Sequence, residues 1–192
     1  MAINHIGVMS GSGGIITSTT LATQTGDKTI TNTTVETSMF DGIVGTKKIA
    51  PNYLHAGQTI RIKLNGIYSC NNGVDATVKV KLGSVVLVSS TSSLTQSTTD
   101  ALFELEFMLT CRSEGVSGAV IGQGRSVVYD GVGFSTATSR ALKMSAPATI
   151  DTTIENEIDI TYTWGTAATA NSLRTTNSVF IVTGKQIGRA HV

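Results

Sequence analysis

From Thr59 onward, apolar and polar residues alternate with a period of two. In Thr59–Cys70, "TIRIKLNGIYSC", Ile60, Ile62, Leu64, Tyr68 and Cys70 share one side, while Arg61, Lys63 and Asn65 share the other. That period with a single apolar face is the signature of a half-buried strand. Val74–Leu82 repeats it, setting Val74, Ala76, Val78, Val80 and Leu82 against Asp75, Thr77, Lys79 and Lys81. "FELEFMLTC" turns Phe103, Leu105, Phe107, Leu109 and Cys111 inward and Glu104 and Glu106 outward; "IDITYTW" groups Ile158, Ile160, Tyr162 and Trp164. "SVFIV" (178–182) is apolar on both faces, which predicts a central strand. Gly122 and Gly124 within "AVIGQGRSVVY" predict a bulge or bend.

No stretch holds a helical period over ten or more residues. The one helix-like signal is "IAPNYLHAGQ": Pro51 suits a first helical position and Gly57 a left-handed end, predicting about one turn before Thr59. Regularly spaced strands without helices between them predict an all-β fold, an antiparallel β-sandwich or barrel. One hairpin permits a register argument. A loop of Asn71, Asn72 and Gly73 pairs Cys70 with Val74, Leu64 with Val80 and Ile62 with Leu82, keeping both apolar sets on one face. The same register places Lys63 opposite Lys81, a mildly unfavourable pair that Glu104 and Glu106 offset if their strand lies alongside.

Both ends of the chain depart from this pattern. Residues 1–33 are rich in Thr, Ser and Gly with few large apolar groups, and read as a flexible N-terminal arm or connector before a sandwich over 34–184. Residues 185–192 match the strands in neither period nor composition. Gln186–Val192 can be written CAG ATC GGA AGA GCA CAC GTC, which from its second base resembles a common sequencing adapter. The expectation is a non-native tail on an environmental (metagenomic) fragment, set aside from fold and site reasoning.

Composition narrows the setting. Hydrophobic residues make up 40% of the 192, enough for a core, while charged residues make up 14% against the usual quarter. Ser, Thr and Gly fill the difference, as is common in extracellular, fibrous and virion proteins. Net charge is +1 without a dense basic run, which argues against nucleic-acid binding, and no apolar run is long enough to span a bilayer. The N-terminus lacks a basic start and apolar stretch, so folding in a cytoplasm is expected. Cys70 and Cys111 both fall on inward positions and read as core thiols rather than a disulfide.

Candidate chemistry is sparse. No nucleophile is evident near His5, His55 or His191, and no catalytic residue, metal site or cofactor is assigned. Glu155, Glu157 and Asp159 read as a solvated outer face in preference to a calcium site. The Gly-x-Gly at Gly122 precedes no helix and makes no phosphate cradle. Trp164, Tyr162, Tyr68 and Phe134 are the aromatics available to stack on a sugar. Trp164 has core parity but is kept as a candidate glycan contact beside Phe134, whose loop "DGVGFSTATS" is the better placed.

Three stretches in order carry a resemblance: "TNTTVETSMF" with "KKIAPNYLHAGQTIRIKLNGIYS"; "DATVKVKLGSVVL" with "FELEFMLTCRS" and "GQGR"; and "TIDTTIENEIDITYTWGTAATANSLRTTNSVFIV". Together, over about residues 30–183, they resemble virion-associated, head-fibre-like or tail-fibre-like proteins of tailed bacteriophages and prophages, which carry a jelly-roll-type sandwich. The resemblance implies a non-enzymatic structural or adsorption component located in the virion, a fibre, knob or decoration module. It implies a homo-oligomer, a trimer above all, bound to a neighbouring virion protein through the N-terminal arm and to a bacterial surface glycan through end loops. It implies no catalytic residue and no cofactor. The alternative is a carbohydrate-binding sandwich of a secreted bacterial protein.

Overall fold

The computed structural model describes residues 5–6, 16–94, 97–130 and 136–185. Its strands are β1 (His5–Ile6), β2 (Ile16–Gln24), β3 (Lys28–Thr31), β4 (Thr37–Ser38), β5 (Ile43–Gly45), β6 (Lys48–Ile49), β7 (Thr59–Cys70) and β8 (Val74–Leu82). They continue with β9 (Val85–Leu94), β10 (Thr98–Ser113), β11 (Gly118–Asp130), β12 (Thr136–Lys143), β13 (Ala148–Ile150), β14 (Asn156–Trp164) and β15 (Ser172–Lys185). The larger sheet runs β1-β2-β15-β7-β10-β11-β12, with β3 beside β15, β5 beside β2 and β13 beside β11. The smaller runs β4-β14-β8-β9, with β6 beside β14. The expected all-β antiparallel sandwich is what forms.

The core lies between the sheets. Ile60, Ile62, Leu64, Leu105, Phe107 and Phe180 enter it from the larger sheet, and Val80, Leu82, Ile158, Ile160 and Trp164 from the smaller, each at most 1% exposed. Burial of a large apolar side chain contributes about 1.5–3 kcal/mol, so these positions dominate the stability of the domain. The strand "SVFIV" lies within β15, interior between β2 and β7, as its two-sided apolar pattern predicts.

The predicted hairpin register does not form. β7 pairs with β10 and β15, whereas β8 pairs with β9 and β14, so the loop at 71–73 carries the chain from one sheet to the other. Gly73 does take the left-handed backbone, at φ +76. Two apolar faces turned toward one core satisfy the alternation equally well whether they share a sheet or oppose each other across it. Lys63 therefore lies opposite Glu106 and Lys81 opposite Asp159, and the feared lysine pair does not arise. Glu104 and Glu106 do lie alongside β7.

The boundary at residue 33 is also corrected. β2 and β3 are built into the larger sheet, Ala22 and Ile30 are buried, and the Ile30 carbonyl accepts the Trp164 Nε1–H at 3.1 Å. Lys185, assigned to the tail, ends β15, and Gln186–Val192 lie outside the described residues.

No helical turn precedes β7. Two tight turns stand there instead, with the Tyr53 N–H donating to Ala50 O and the Gln58 N–H to His55 O. Gly57 takes its left-handed backbone, but so does Asn52 (φ +58), which breaks any helical run.

The β10–β11 register runs unbroken from Phe103↔Val128 to Cys111↔Val120, so Gly122 and Gly124 mark no bulge. They make room for Phe107. A Cβ at Gly122 would stand 2.5 Å from the Phe107 ring, and one at Gly124 would stand 2.1 Å from Glu106 O.

Candidate binding face of the larger sheet

The alternation that buries Ile60, Leu105 and Phe107 turns the intervening residues of β7, β10 and β11 outward. Cross-strand register then sets them in rows. These are Asn65–Glu104–Val127, Lys63–Glu106–Arg125, Arg61–Met108–Gln123 and Thr59–Thr110–Ile121. On one flank β15 extends the rows with Asn177, Val179, Ile181 and Thr183; on the other β12 adds Ser139, Ala141 and Lys143.

Glu106 decides the electrostatics of this face. Three cations surround it, and Arg61 takes it, with Nε donating to Oε1 at 2.6 Å and a second contact from Nη2. Lys63 and Arg125, directly opposite Glu106 on either side, are exposed and have no carboxylate within 4.0 Å among the described residues. The Tyr129 hydroxyl donates to Glu104 Oε2 at 3.3 Å, and the Thr59 and Thr110 hydroxyls lie 3.1 Å apart.

Two depressions follow one another along β10 and β11. The first, about 130 Å³, is lined by Lys63, Asn65, Glu104, Glu106, Arg125 and Val127. The second, about 200 Å³, is lined by Met108, Thr110, Arg112, Ile121 and Gln123 over Gly122. Both open to solvent; the first is mostly polar, and the second mixes the polar Thr110, Arg112 and Gln123 with the apolar Met108 and Ile121.

The outer face of the smaller sheet is built differently. Glu36 accepts from Lys79 at 2.6 Å, Lys81 at 3.1 Å and the Thr161 hydroxyl at 3.0 Å. Lys79 first, then Lys81, lowers its carboxyl to about 2, from an ordinary value of 4.5. Lys47 pairs with Glu157 at 3.0 Å and Asp159 at 3.3 Å, and lies 5.2 Å from the centre of the Phe40 ring. Lys48 pairs with Glu155 at 2.8 Å. The three acids of "TIENEIDI" are thus each paired with a lysine.

Of the two residues singled out for glycan contact, Trp164 alone is among the described residues. Trp164 is 0% exposed, packs edge-on against Tyr162 with ring centres 4.9 Å apart, and spends its N–H on Ile30. It is a core residue, and its candidacy as a surface contact is withdrawn. Phe134 lies outside the described residues. Tyr68 and Tyr162 are buried, and burial drives the Tyr162 phenol far above its usual range. Cys70 and Cys111 are buried thiols; burial raises the Cys111 thiol, whose Sγ donates to Ser113 O at 3.3 Å. His55 Nδ1 lies 2.5 Å from Glu114 Oε2, joining the turn before β7 to the loop after β10. His5 stands in β1, and His191 is outside the described residues.

Sequence alone placed Lys63, Glu106 and Arg61 outward but gave no means of grouping them with Arg125 or Gln123. Their juxtaposition depends on which strands become neighbours. The one available signal was the opposite charge of the outward sets on β7 and β10.

No protein-family model matches the chain, and no curated protein matches it. Among solved structures it is similar to the CBM2 module of the evolved Dit of Lactobacillus casei BL23 phage J-1. The TM-score is 0.33 and the identity 13%, over 72% of this chain and 67% of that one. At that TM-score the two chains are too far apart for one to speak for the other.

Proposed function

We propose that the chain is a non-enzymatic structural and adsorption module of a bacteriophage virion, a fibre, knob or decoration domain that works as a homotrimer. The observation that carries this reading is the outer face of the larger sheet, where rows of amides, hydroxyls and uncommitted cations line two depressions on a sheet whose other side buries the core. The ordered resemblance over about residues 30–183 supplies the virion setting. The same reading has the N-terminal region attach to a neighbouring virion protein.

The same depressions favour a second reading, a carbohydrate-binding sandwich of a secreted bacterial protein. Assembly separates the two. Sedimentation and light scattering on the purified chain are expected to give a trimer, and labelled protein is expected to adsorb to bacterial cells. A strict monomer that neither assembles nor adsorbs sinks the virion reading. A monomer that binds isolated glycan tightly moves the conclusion to the second.

A further inference from the structure

We propose that the outer face of the larger sheet holds an anionic polysaccharide, its charge carried by carboxylates, laid along β10 and β11. This rests on the adsorption reading and names its ligand. From the Asn65 level to the end of β10, the face carries Arg61, Lys63, Arg112, Arg125 and Lys143 against only Glu104 and Glu106. Arg61 already holds Glu106, so the surplus positive charge is concentrated on groups with nothing to neutralise it.

Geometry favours an elongated ligand. Lys63 and Arg125 stand on strands separated by β10, so their backbones are about 10 Å apart, two inter-strand spacings. Because they share one cross-strand row, the two cations would flank a chain that runs along β10, one on each side of it. Along the strand, Glu104 to Arg112 covers roughly 26 Å at 3.3 Å per residue, and the two depressions succeed each other over that length. The guanidinium of Arg125 matches a carboxylate in a forked pair, while Asn65, Gln123 and Thr110 present the donors and acceptors that sugar hydroxyls need.

Other macromolecules fit less well. A stable protein interface wants a charge-poor centre rich in aromatics. Here the centre is Lys63, Glu106 and Arg125, and Met108, 53% exposed, is the most exposed large apolar side chain on β7, β10 and β11 among the described residues. Nucleic acid would bring a phosphate charge every ~1.7 Å of duplex against two carboxylates in the middle of the basic rows. The opposite outer face is no competitor, since its lysines are already held by Glu36, Glu155, Glu157 and Asp159.

The test uses the full chain on immobilised polygalacturonate, neutral dextran and duplex DNA, at low and high ionic strength. Retention is expected on polygalacturonate, weakening with salt as screening shortens the reach of the exposed charges, with none on dextran. The double variant Lys63→Gln/Arg125→Gln is expected to bind about tenfold more weakly, one decade of Kd. Lys48→Gln on the opposite outer face should bind as the unaltered protein does. Matching thermal unfolding curves establish that the variants are folded. Equal retention on dextran, undiminished binding by the double variant, or duplex DNA that competes as well as polygalacturonate each overturns the proposal. A protein that assembles or adsorbs to cells yet ignores polygalacturonate defeats this inference alone. One that does none of the three defeats the virion reading as well.

Discussion

The two outer faces of the sandwich arise from the same alternation and end with opposite electrostatic characters. On the smaller sheet, Glu36 bridges Lys79 and Lys81, Lys47 bridges Glu157 and Asp159, and Lys48 holds Glu155, so the charges are consumed within the fold. On the larger sheet, Arg61 claims Glu106 and leaves Lys63 and Arg125 without carboxylates. A charge engaged in a partly shielded network contributes to stability. A charge left over in solvent contributes almost nothing to stability and remains available to a partner. Which outcome a lysine meets depends on the strand its own strand adjoins.

The largest expected effects strike what both faces rest upon. Trp164→Ala should destabilise by about 3–5 kcal/mol, because it empties the core and releases the Ile30 carbonyl. Chemical denaturation measures this, and an unchanged midpoint would return Trp164 to the list of surface residues. Gly124→Val is expected to cost about 3 kcal/mol, since its Cβ would press on Glu106 O and Phe107 and force β10 from β11. Unlike the tryptophan change, it should distort the larger sheet's face selectively, which amide exchange in β10 and β11 reports.

A smaller effect is confined to the charged network. Glu36→Gln should cost about 1 kcal/mol at neutral pH, by removing the negative charge shared by Lys79 and Lys81. The Glu36 carboxyl is depressed in the folded state, so its stabilisation is present above the ordinary value of 4.5 and is lost as pH falls toward about 2. Denaturation midpoints of the two proteins should therefore converge through that window on acidification. A gap that persists at its lower end would contradict the network.

The smallest effect sharpens the comparison most. Lys63→Gln/Arg125→Gln should leave stability within about 0.5 kcal/mol, because neither side chain has a carboxylate partner to lose. Thermal melts decide it, and a loss comparable to that of Glu36→Gln would mean that the two faces do not differ as described.

Much of the strand content was legible because a strand's parity is local. Ile60, Phe107, Cys111 and Trp164 turn inward as their alternation predicts. β2 escaped notice because its inward positions include Ala22 and Gln24 among threonines, giving too little contrast to show a period. The paired glycines suggested a bulge because they lack side chains, when the reason for that lack was the Phe107 ring of the neighbouring strand.

The sequence by itself determined the all-β class, the face of each long strand and the polar character of the exposed positions, since these follow from one strand's own period of two. The tertiary structure alone decided that β7 and β8 lie in opposite sheets, that residues 16–31 belong to the sandwich, and that Lys63 and Arg125 flank a carboxylate already taken. Those outcomes are relations between strands far apart along the chain. An alternating pattern reads the same whichever neighbour the strand finally meets.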